Sequence, residues 1–308
     1  MRYTHHNARY SELYTPRLTP LLSASAKDRP ATAEVAALLV GARRCYAEQR
    51  AFFADQVARA GVPATLLQHL PQLLPGLAGA ALHPIIHLAI GLRTGSDGMV
   101  AEGLAYLNHS HLAAAATPLT TAAGVGADGK APMVAASVVA EQHVEAALSR
   151  PPAPAVAGSG RFQRAMSGLL GNAATVSLLK VAAASRLGGF TAETMLDKAV
   201  RLYLGDGRND YFLLHVVTAS WALGVVLDAV PDLPAQTRRG AVEGLAIAAV
   251  AAAWIQQTDL QTVGAQQTVT TPAAALVAVR AQVAKLCAEP EPRNEHVYKL
   301  VAGGNHLP

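Results

Sequence analysis

The amino-acid sequence predicts an all-α protein. The chain of 308 residues is rich in alanine and leucine and has only 5% aromatic residues, and alanine and leucine are among the strongest helix formers. No segment shows the regular alternation of β-branched or aromatic residues with polar residues that is typical of strands. Short groups containing glycine and proline separate the apolar segments. Together these observations predict a single large multi-helix domain over residues 31–308.

Ten segments carry a helical pattern of apolar residues. They are 32–60, 64–92, 97–116, 132–149, 161–187, 191–204, 207–230, 234–257, 271–288 and 294–302. Breakers such as Gly61-Val62-Pro63 and Gly188-Gly189 stand between neighbouring segments. Pro84 lies inside the second segment, where it predicts a kink or a restart beside His83.

Two segments do not fit a helical core. Residues 1–30 are polar and contain Pro16, Pro20 and Pro30, which indicates an N-terminal arm or lid. Residues 151–160 read PPAPAVAGSG, a composition typical of a surface loop or of a linker between domains. We favour one domain because the candidate functional histidines fall on both sides of this stretch.

Charge and composition argue against several classes of protein. The formal net charge is +4, without runs of Lys or Arg, so nucleic-acid binding is not expected. The longest apolar run, 245–255, has eleven residues, too few to span a bilayer. The N-terminal residues lack the apolar segment of a signal peptide. The two cysteines, Cys45 and Cys287, have no CxxC spacing, so we expect a reduced, cytoplasmic protein.

The sequence does not support four common cofactor-binding or catalytic patterns. Residues 124–129 (GVGADG) match GxGxxG, but no strand precedes them, so an interhelical loop is the better interpretation. HExxH is absent, and so are the ExxH pairs of di-iron bundles. The sequence also lacks the GxSxG elbow of serine hydrolases.

Histidines in apolar helical segments are the most informative residues of the chain. His83 and His87 are four residues apart in the apolar stretch 80–92, so on one helix they share a face. His215 and His296 stand in similar apolar settings, within FLLHVV and EHVYK. Any one of them alone would be interpreted as a core histidine. As a set they favour a buried metal site.

The remaining histidines have simpler interpretations. His69 precedes Pro71 and is expected on the surface near a helix end. His109 and His111 are two residues apart, so at most one of them is expected to point inward.

Two segments offer further polar groups near the candidate site. Lys299 shares a helical face with His296. A desolvated lysine loses its proton more easily and could take up CO₂ to form a carbamate, which is an oxygen ligand. Alternatively, Lys299 could simply cap the last helix. Asp210 stands near a predicted helix start. Thr218 is one turn beyond His215 and could hydrogen-bond the imidazole or a substrate.

Three segments together resemble the questin oxidase-like family, whose members act in anthraquinone and related polyketide pathways. They are HPIIHLAIGL with the preceding LLPGL, FLLHVVTAS, and EHVYKL, in the order found in the family and over about a quarter of the chain. Family members usually carry an N-terminal Asn-His pair, and the corresponding place near Asp28-Arg29 has no histidine. His5 or His6 could take that place.

The resemblance implies an oxygenase that cleaves a C–C bond of a polycyclic quinone by Baeyer–Villiger-type ring opening. The positions that match the family's motifs are His83, His87, His215, His296 and Lys299, implied as metal ligands, with Lys299 and His215 also catalytic. Non-haem Fe(II) is the implied metal and O₂ the co-substrate, with NADPH or another reductant as a possible electron source.

An aromatic polyketide is the implied substrate, and Tyr211, Trp221 and Tyr298 are candidates to stack on it or hydrogen-bond to it. The alternative is a non-catalytic α-helical protein that binds small molecules and has lost the metal. Metal analysis of protein purified without a histidine tag distinguishes the two. The sequence gives no oligomeric state.

Overall fold

The computed structural model describes residues 46–115, 159–186, 190–208 and 210–258. Within these ranges it contains nine α-helices, two short 3₁₀ helices and no strand, so the prediction of an all-α fold is confirmed. The predicted arm at 1–30, most of the predicted linker and the last two predicted helices lie outside the described residues. Ser159 and Gly160, the last two residues of the predicted linker, begin a helix.

The helices are numbered here in chain order. They are α1 (Tyr46–Ala60), α2 (Val62–Leu73), α3 (His83–Thr94), α4 (Asp97–His109), α5 (Ser159–Leu170), α6 (Ala173–Arg186), α7 (Met195–Asp206), α8 (Tyr211–Ala229) and α9 (Ala235–Ile255). The 3₁₀ helices are η1 (Leu74–Gly76) and η2 (Gly79–Leu82), both between α2 and α3.

Two long apolar helices, α8 and α9, form the centre of the part of the chain that the structure describes. Leu213, Val216 and Leu223 of α8 are completely buried, as is the run Ala248–Ala253 of α9. α8 packs against α3, α7 and α9, and α9 in turn contacts α5 and α6. Each fully buried leucine or valine contributes about 1.5–3 kcal/mol by leaving water, and the small alanines let α9 lie close to its neighbours.

Capping side chains and a glycine mark the starts and ends of helices at positions that the sequence suggests. Asp210 caps α8, its Oδ1 accepting from the backbone N–H groups of Phe212 (2.8 Å) and Leu213 (2.9 Å), as its position near a predicted helix start indicated. At the other end of α8, the guanidinium of Arg238 in α9 donates to the carbonyl of Leu227 at 2.8 Å. Gly95, with φ of 63°, ends α3.

Three predicted helices are shorter or more divided than expected. The segment 64–92 is split into α2, the two 3₁₀ helices and α3, and the restart predicted by Pro84 begins at His83. The segment 161–187 is broken at Gly171, after which the side chain of Asn172 accepts from Thr175 N–H at 3.0 Å and starts α6. The segment 97–116 ends at His109. Local capping and proline geometry, which periodicity does not register, explain the first two breaks.

α8 is the one described helix that is long and apolar enough to cross a membrane. In its most apolar stretch 72% of the residues are buried inside the protein, as is common for the core helix of a globular domain. The bent pair α5 and α6, which meet at 96°, passes the same test of composition. One or two such segments are weak evidence for a membrane protein.

Candidate metal centre

His215 is placed by the start of α8. The Asp210 cap fixes the first turn, and His215 lies one turn further along, 1% exposed. Its Nδ1 is 2.6 Å from the carbonyl oxygen of Tyr211. Burial raises the pKa of the Asp210 carboxyl, and the two hydrogen bonds from backbone N–H groups oppose that rise. The capped first turn therefore holds both the histidine and its hydrogen-bond partner.

His83 is placed by an unusual turn. Ala80, Ala81 and Leu82, directly before it, have φ values of 47°, 54° and 69°. Non-glycine residues reach this left-handed region at about 1–2 kcal/mol each, so three in succession need support from their surroundings. The turn directs the Ala80 carbonyl at His83, whose Nδ1 lies 2.7 Å away.

Support for this turn comes from both sides. The backbone of Gly76 accepts from Leu112 N–H at 3.0 Å, and a Cβ on Gly79 would lie 1.7 Å from the Ser110 carbonyl oxygen. Gly79 therefore has to be glycine for the chain to pass this close. From α5, Gln163 Oε1 accepts from Ala81 N–H at 2.8 Å.

The two histidines meet at their Nε2 atoms. Their rings lie 4.5 Å apart between centroids and are tilted by 55°, and the two Nε2 atoms are 3.1 Å apart. A backbone carbonyl can only accept, so the Nδ1 of each ring carries a hydrogen. In the neutral imidazoles both Nε2 atoms are then acceptors, and two acceptors this close are mutually repulsive unless they share a proton or a cation.

This donor set fits a transition metal. Ligating imidazoles are typically fixed by a backbone carbonyl or carboxylate on the other ring nitrogen, as both rings are here. Two nitrogens about 2.1 Å from a shared ion would lie about 3.0 Å apart at a right angle and about 3.4 Å apart at the tetrahedral angle. The observed separation of 3.1 Å lies between these two values.

The second histidine of the HPIIH motif has a different described partner. His87 Nε2 is 3.8 Å from Glu102 Oε2 in α4. Burial lowers the pKa of His87, and the carboxylate of Glu102 partly offsets the decrease. Its Nε2 has no hydrogen-bond partner among the residues that the structure describes. No sequence pattern points to Glu102, because its contact with His87 depends on the packing of α3 against α4.

Of the predicted ligands, the structure thus brings His83 and His215 together. Across the described ranges no group of three or more His, Cys, Asp or Glu side chains could hold a metal ion. His296 and Lys299 lie outside the described residues, as does Tyr298. The five-ligand set, and the buried histidine-rich site predicted with it, therefore stay predictions.

Aromatic rings surround the pair on the side of α8. The ring of Tyr211 lies 4.4 Å from that of His215 and is 37% exposed. Phe212 stacks on Phe162 of α5 with a centroid distance of 3.8 Å and an interplanar angle of 2°. Trp221 is half-buried further along the same helix. Of these, Tyr211 is the ring that combines exposure with closeness to the histidines.

Two expectations drawn from the sequence are wrong. The Thr218 hydroxyl does not donate to the imidazole of His215: its Oγ1 donates to the backbone carbonyls of Leu214 and His215, both at 3.2 Å, as threonine commonly does inside a helix. Contact with a substrate, the other role suggested for Thr218, stays a prediction.

His69 is not on the surface; it is 6% exposed and packs edge-on against Phe52 and Phe53. The approach of α1, which a local reading of the sequence around Pro71 does not reveal, buries it.

The profile of one protein family, described as questin oxidase-like, matches residues 3–302, nearly the whole chain. The protein belongs to the questin oxidase-like family. This questin oxidase-like protein is therefore an oxidoreductase, an oxygenase whose substrates are, in general, aromatic small molecules of the anthraquinone type. No curated protein and no solved structure matches the chain significantly.

Proposed function

We propose that this protein is a non-haem iron-dependent oxygenase that cleaves a C–C bond of an anthraquinone or related polycyclic polyketide. The observation that carries the proposal is the His83–His215 pair, with both Nδ1 atoms bound to backbone carbonyls and the Nε2 atoms 3.1 Å apart. Two rigidly oriented imidazoles with facing lone pairs are a typical start of an Fe(II) site. Cytoplasmic localisation goes with this proposal as an expectation.

Iron would be held by His83 and His215, with His87, His296 and Lys299 as the further ligands expected from the family motifs. Bound Fe(II) supplies the binding and activation of O₂. The backbone carbonyls of Ala80 and Tyr211 keep each imidazole in the tautomer whose Nε2 can ligate. Glu102, 3.8 Å from His87, is placed to hydrogen-bond the second histidine of the motif after a small movement.

The surroundings suit a flat, weakly polar substrate. His215 is 1% exposed and is flanked in α8 by buried apolar side chains, while His83 is half-buried, so bulk water has limited access to the pair. Tyr211, the exposed ring beside His215, presents a face on which a quinone ring can stack.

A Baeyer–Villiger-type cleavage inserts one oxygen atom of O₂ into the C–C bond next to a carbonyl. The other oxygen leaves as water, which takes two electrons and two protons. NADPH or another reductant would supply the electrons. The product of this insertion is a lactone. Addition of water to its carbonyl opens the ring to a carboxylic acid and a hydroxyl group, and the inserted oxygen stays in the hydroxyl.

Iron analysis combined with isotope labelling tests the proposal. Full-length protein without a histidine tag should contain iron. With an anthraquinone, a reductant and ¹⁸O₂ it should give a ring-opened product that contains one atom of ¹⁸O. Iron-free protein that binds the anthraquinone and cannot turn it over after reconstitution with Fe(II) would favour the alternative, a binding protein that has lost the metal. The same protein with Zn(II) in place of Fe(II) is the control for redox chemistry.

A further inference from the structure

The left-handed turn before His83 is held by a residue from a distant part of the chain. Ala80, Ala81 and Leu82 all have positive φ, and the amide of Ala81 donates to Gln163 Oε1 at 2.8 Å. Gln163 lies 82 positions further along the chain, in α5. The structure describes one other non-glycine residue with positive φ, Gln257, so the consecutive run is a local feature of this site.

The turn has a direct consequence for the imidazole. Ala80 presents its carbonyl to His83 Nδ1 at 2.7 Å only while the turn keeps its left-handed form. If Ala80 or Ala81 relaxed to the right-handed region, which alanine prefers, the carbonyl would turn away. The ring could then exchange its tautomer and place a hydrogen on Nε2, which would remove the lone pair that faces His215.

α5 also supports the other histidine. Phe162, next to Gln163, stacks on Phe212 of α8 at 3.8 Å, and Phe212 lies three residues before His215. Neighbouring residues of one helix thus contact the segments that carry both imidazoles. On the opposite side the turn is fixed by backbone packing of Gly79 against Ser110, so Gln163 supplies the one side-chain hydrogen bond to the turn's amides in the described part of the chain.

We propose that Gln163 is a positioning residue. Its hydrogen bond to the Ala81 amide stabilises the left-handed turn Ala80–Leu82 and thereby sets the tautomer and orientation of His83. The proposal rests on the proposed function, since it treats His83 as a metal ligand. Removing the acceptor should weaken Fe(II) binding by about 10- to 100-fold, the usual effect of losing a group that orients a metal ligand.

Three substitutions separate the hydrogen bond from packing. Gln163→Leu removes the acceptor and keeps much of the volume. Gln163→Asn keeps the amide but shortens its reach, and it serves if the leucine variant does not fold. Gln163→Glu keeps an acceptor oxygen and should behave like the wild type. Gln236→Leu, on the exposed surface of α9, is the matched control for the chemical change.

The first measurements use the full-length protein without metal. Hydrogen exchange of the Ala81 amide should accelerate in Gln163→Leu and Gln163→Asn and stay slow in Gln163→Glu and Gln236→Leu. Nitrogen NMR of labelled imidazoles, with His83→Asn for assignment, should show the Nδ1–H tautomer of His83 in the wild type and a mixture in the two loss variants. If Gln163→Leu and Gln163→Asn both leave the exchange of the Ala81 amide and the tautomer of His83 unchanged, the proposal for Gln163 is wrong.

Titration of the same proteins with Fe(II) under anaerobic conditions completes the test. Weaker binding in the two loss variants, with wild-type binding in Gln163→Glu, is the expected result. If Gln163→Glu is as weak as Gln163→Leu, the hydrogen bond to Ala81 is not what matters and the proposal is wrong. If the wild type itself binds no iron, the proposed function is wrong. The exchange and NMR results on metal-free protein still show whether Gln163 stabilises the turn before His83.

Discussion

Two buried histidines, one at the candidate site and one in the apolar core, should respond differently to substitution. His215 is buried, and its Nδ1 is hydrogen-bonded to the first turn of α8. His69 is almost as buried, but it is surrounded by phenylalanine rings. The two therefore provide a matched pair of buried histidines, one in the proposed metal site and one in the apolar core.

His215→Ala should abolish iron binding and turnover and leave the helical fold intact. The substitution removes one of the two facing Nε2 atoms, while the Asp210 cap that starts α8 remains in place. Iron content measured per folded chain, with circular dichroism in parallel, tests this. His69→Leu is the control and should retain its iron. A variant at 215 that keeps its iron, or one that loses its helical signal, would indicate a core histidine.

Lys299→Ala should lower iron occupancy, and bicarbonate or a short carboxylate should partly restore it. The reason is the carbamate proposed for this lysine, which would supply an anionic oxygen to a site composed of neutral imidazoles. Lys299→Arg keeps the positive charge but cannot be carbamylated in the same way, so we expect it to match the alanine variant. Full activity of the arginine variant would show that Lys299 is not a ligand.

At the scale of elements, the packing of α3 against α4 positions the HPIIH motif. Gly103 lies at their contact, and a Cβ added there would be 2.6 Å from Leu88 Cα. His87 and Glu102 face each other across the same pair of helices. By contrast, an added Cβ at Gly240 of α9 would meet nothing within 4 Å.

Gly103→Ala should therefore lower the free energy of unfolding, by about 1–3 kcal/mol, because backbone atoms of α3 would have to move. Gly240→Ala should raise it by about 0.5–1 kcal/mol, because alanine is the better helix former and has open space. Chemical denaturation of both variants measures the difference. If Gly103→Ala and Gly240→Ala changed the free energy of unfolding by the same amount and in the same direction, α3 and α4 would not be in the close contact described.

At the scale of the whole molecule, buried neutral histidines make stability depend on acidity. Burial lowers the pKa of His69. Burial also lowers the pKa of His111, partly offset by its hydrogen bond to the Gln72 carbonyl. Each imidazole takes up a proton more readily in the unfolded chain, so the stabilisation is present above the unfolded pKa of about 6.5. It is lost as the pH falls towards the lower pKa of the folded state.

Metal-free protein should accordingly become less stable as the pH is lowered from about 7.5 to about 5. The slope contributed by one histidine reaches at most about 1.4 kcal/mol per pH unit. His69→Leu should show a shallower slope than the wild type, while Gln236→Leu should keep the wild-type slope. Denaturant titrations at each pH measure it, and an unchanged slope in His69→Leu would show that His69 is not held neutral by burial.

Local sequence patterns were enough to predict the all-α fold class and the histidines of the candidate site. The alanine and leucine content and the glycine and proline breakers predicted helices, Asp210 marked the start of α8, and Pro84 marked the restart at His83. These features act within a few residues of the chain, so local reading recovers them. Local patterns did not reveal that Thr218 donates to backbone carbonyls of its own helix. They also did not reveal that the neighbouring helix α1 buries His69.

Which side chains meet at the site depends on long-range packing that local patterns do not contain. His83 and His215 are 132 residues apart, and no local pattern fixes the distance between their Nε2 atoms. The left-handed turn at Ala80–Leu82 contradicts the helical preference of alanine and persists because Gln163 and the close approach of Gly79 to Ser110 hold it. Long-range contacts can override local propensity in this way because several of them act on the same short segment at once.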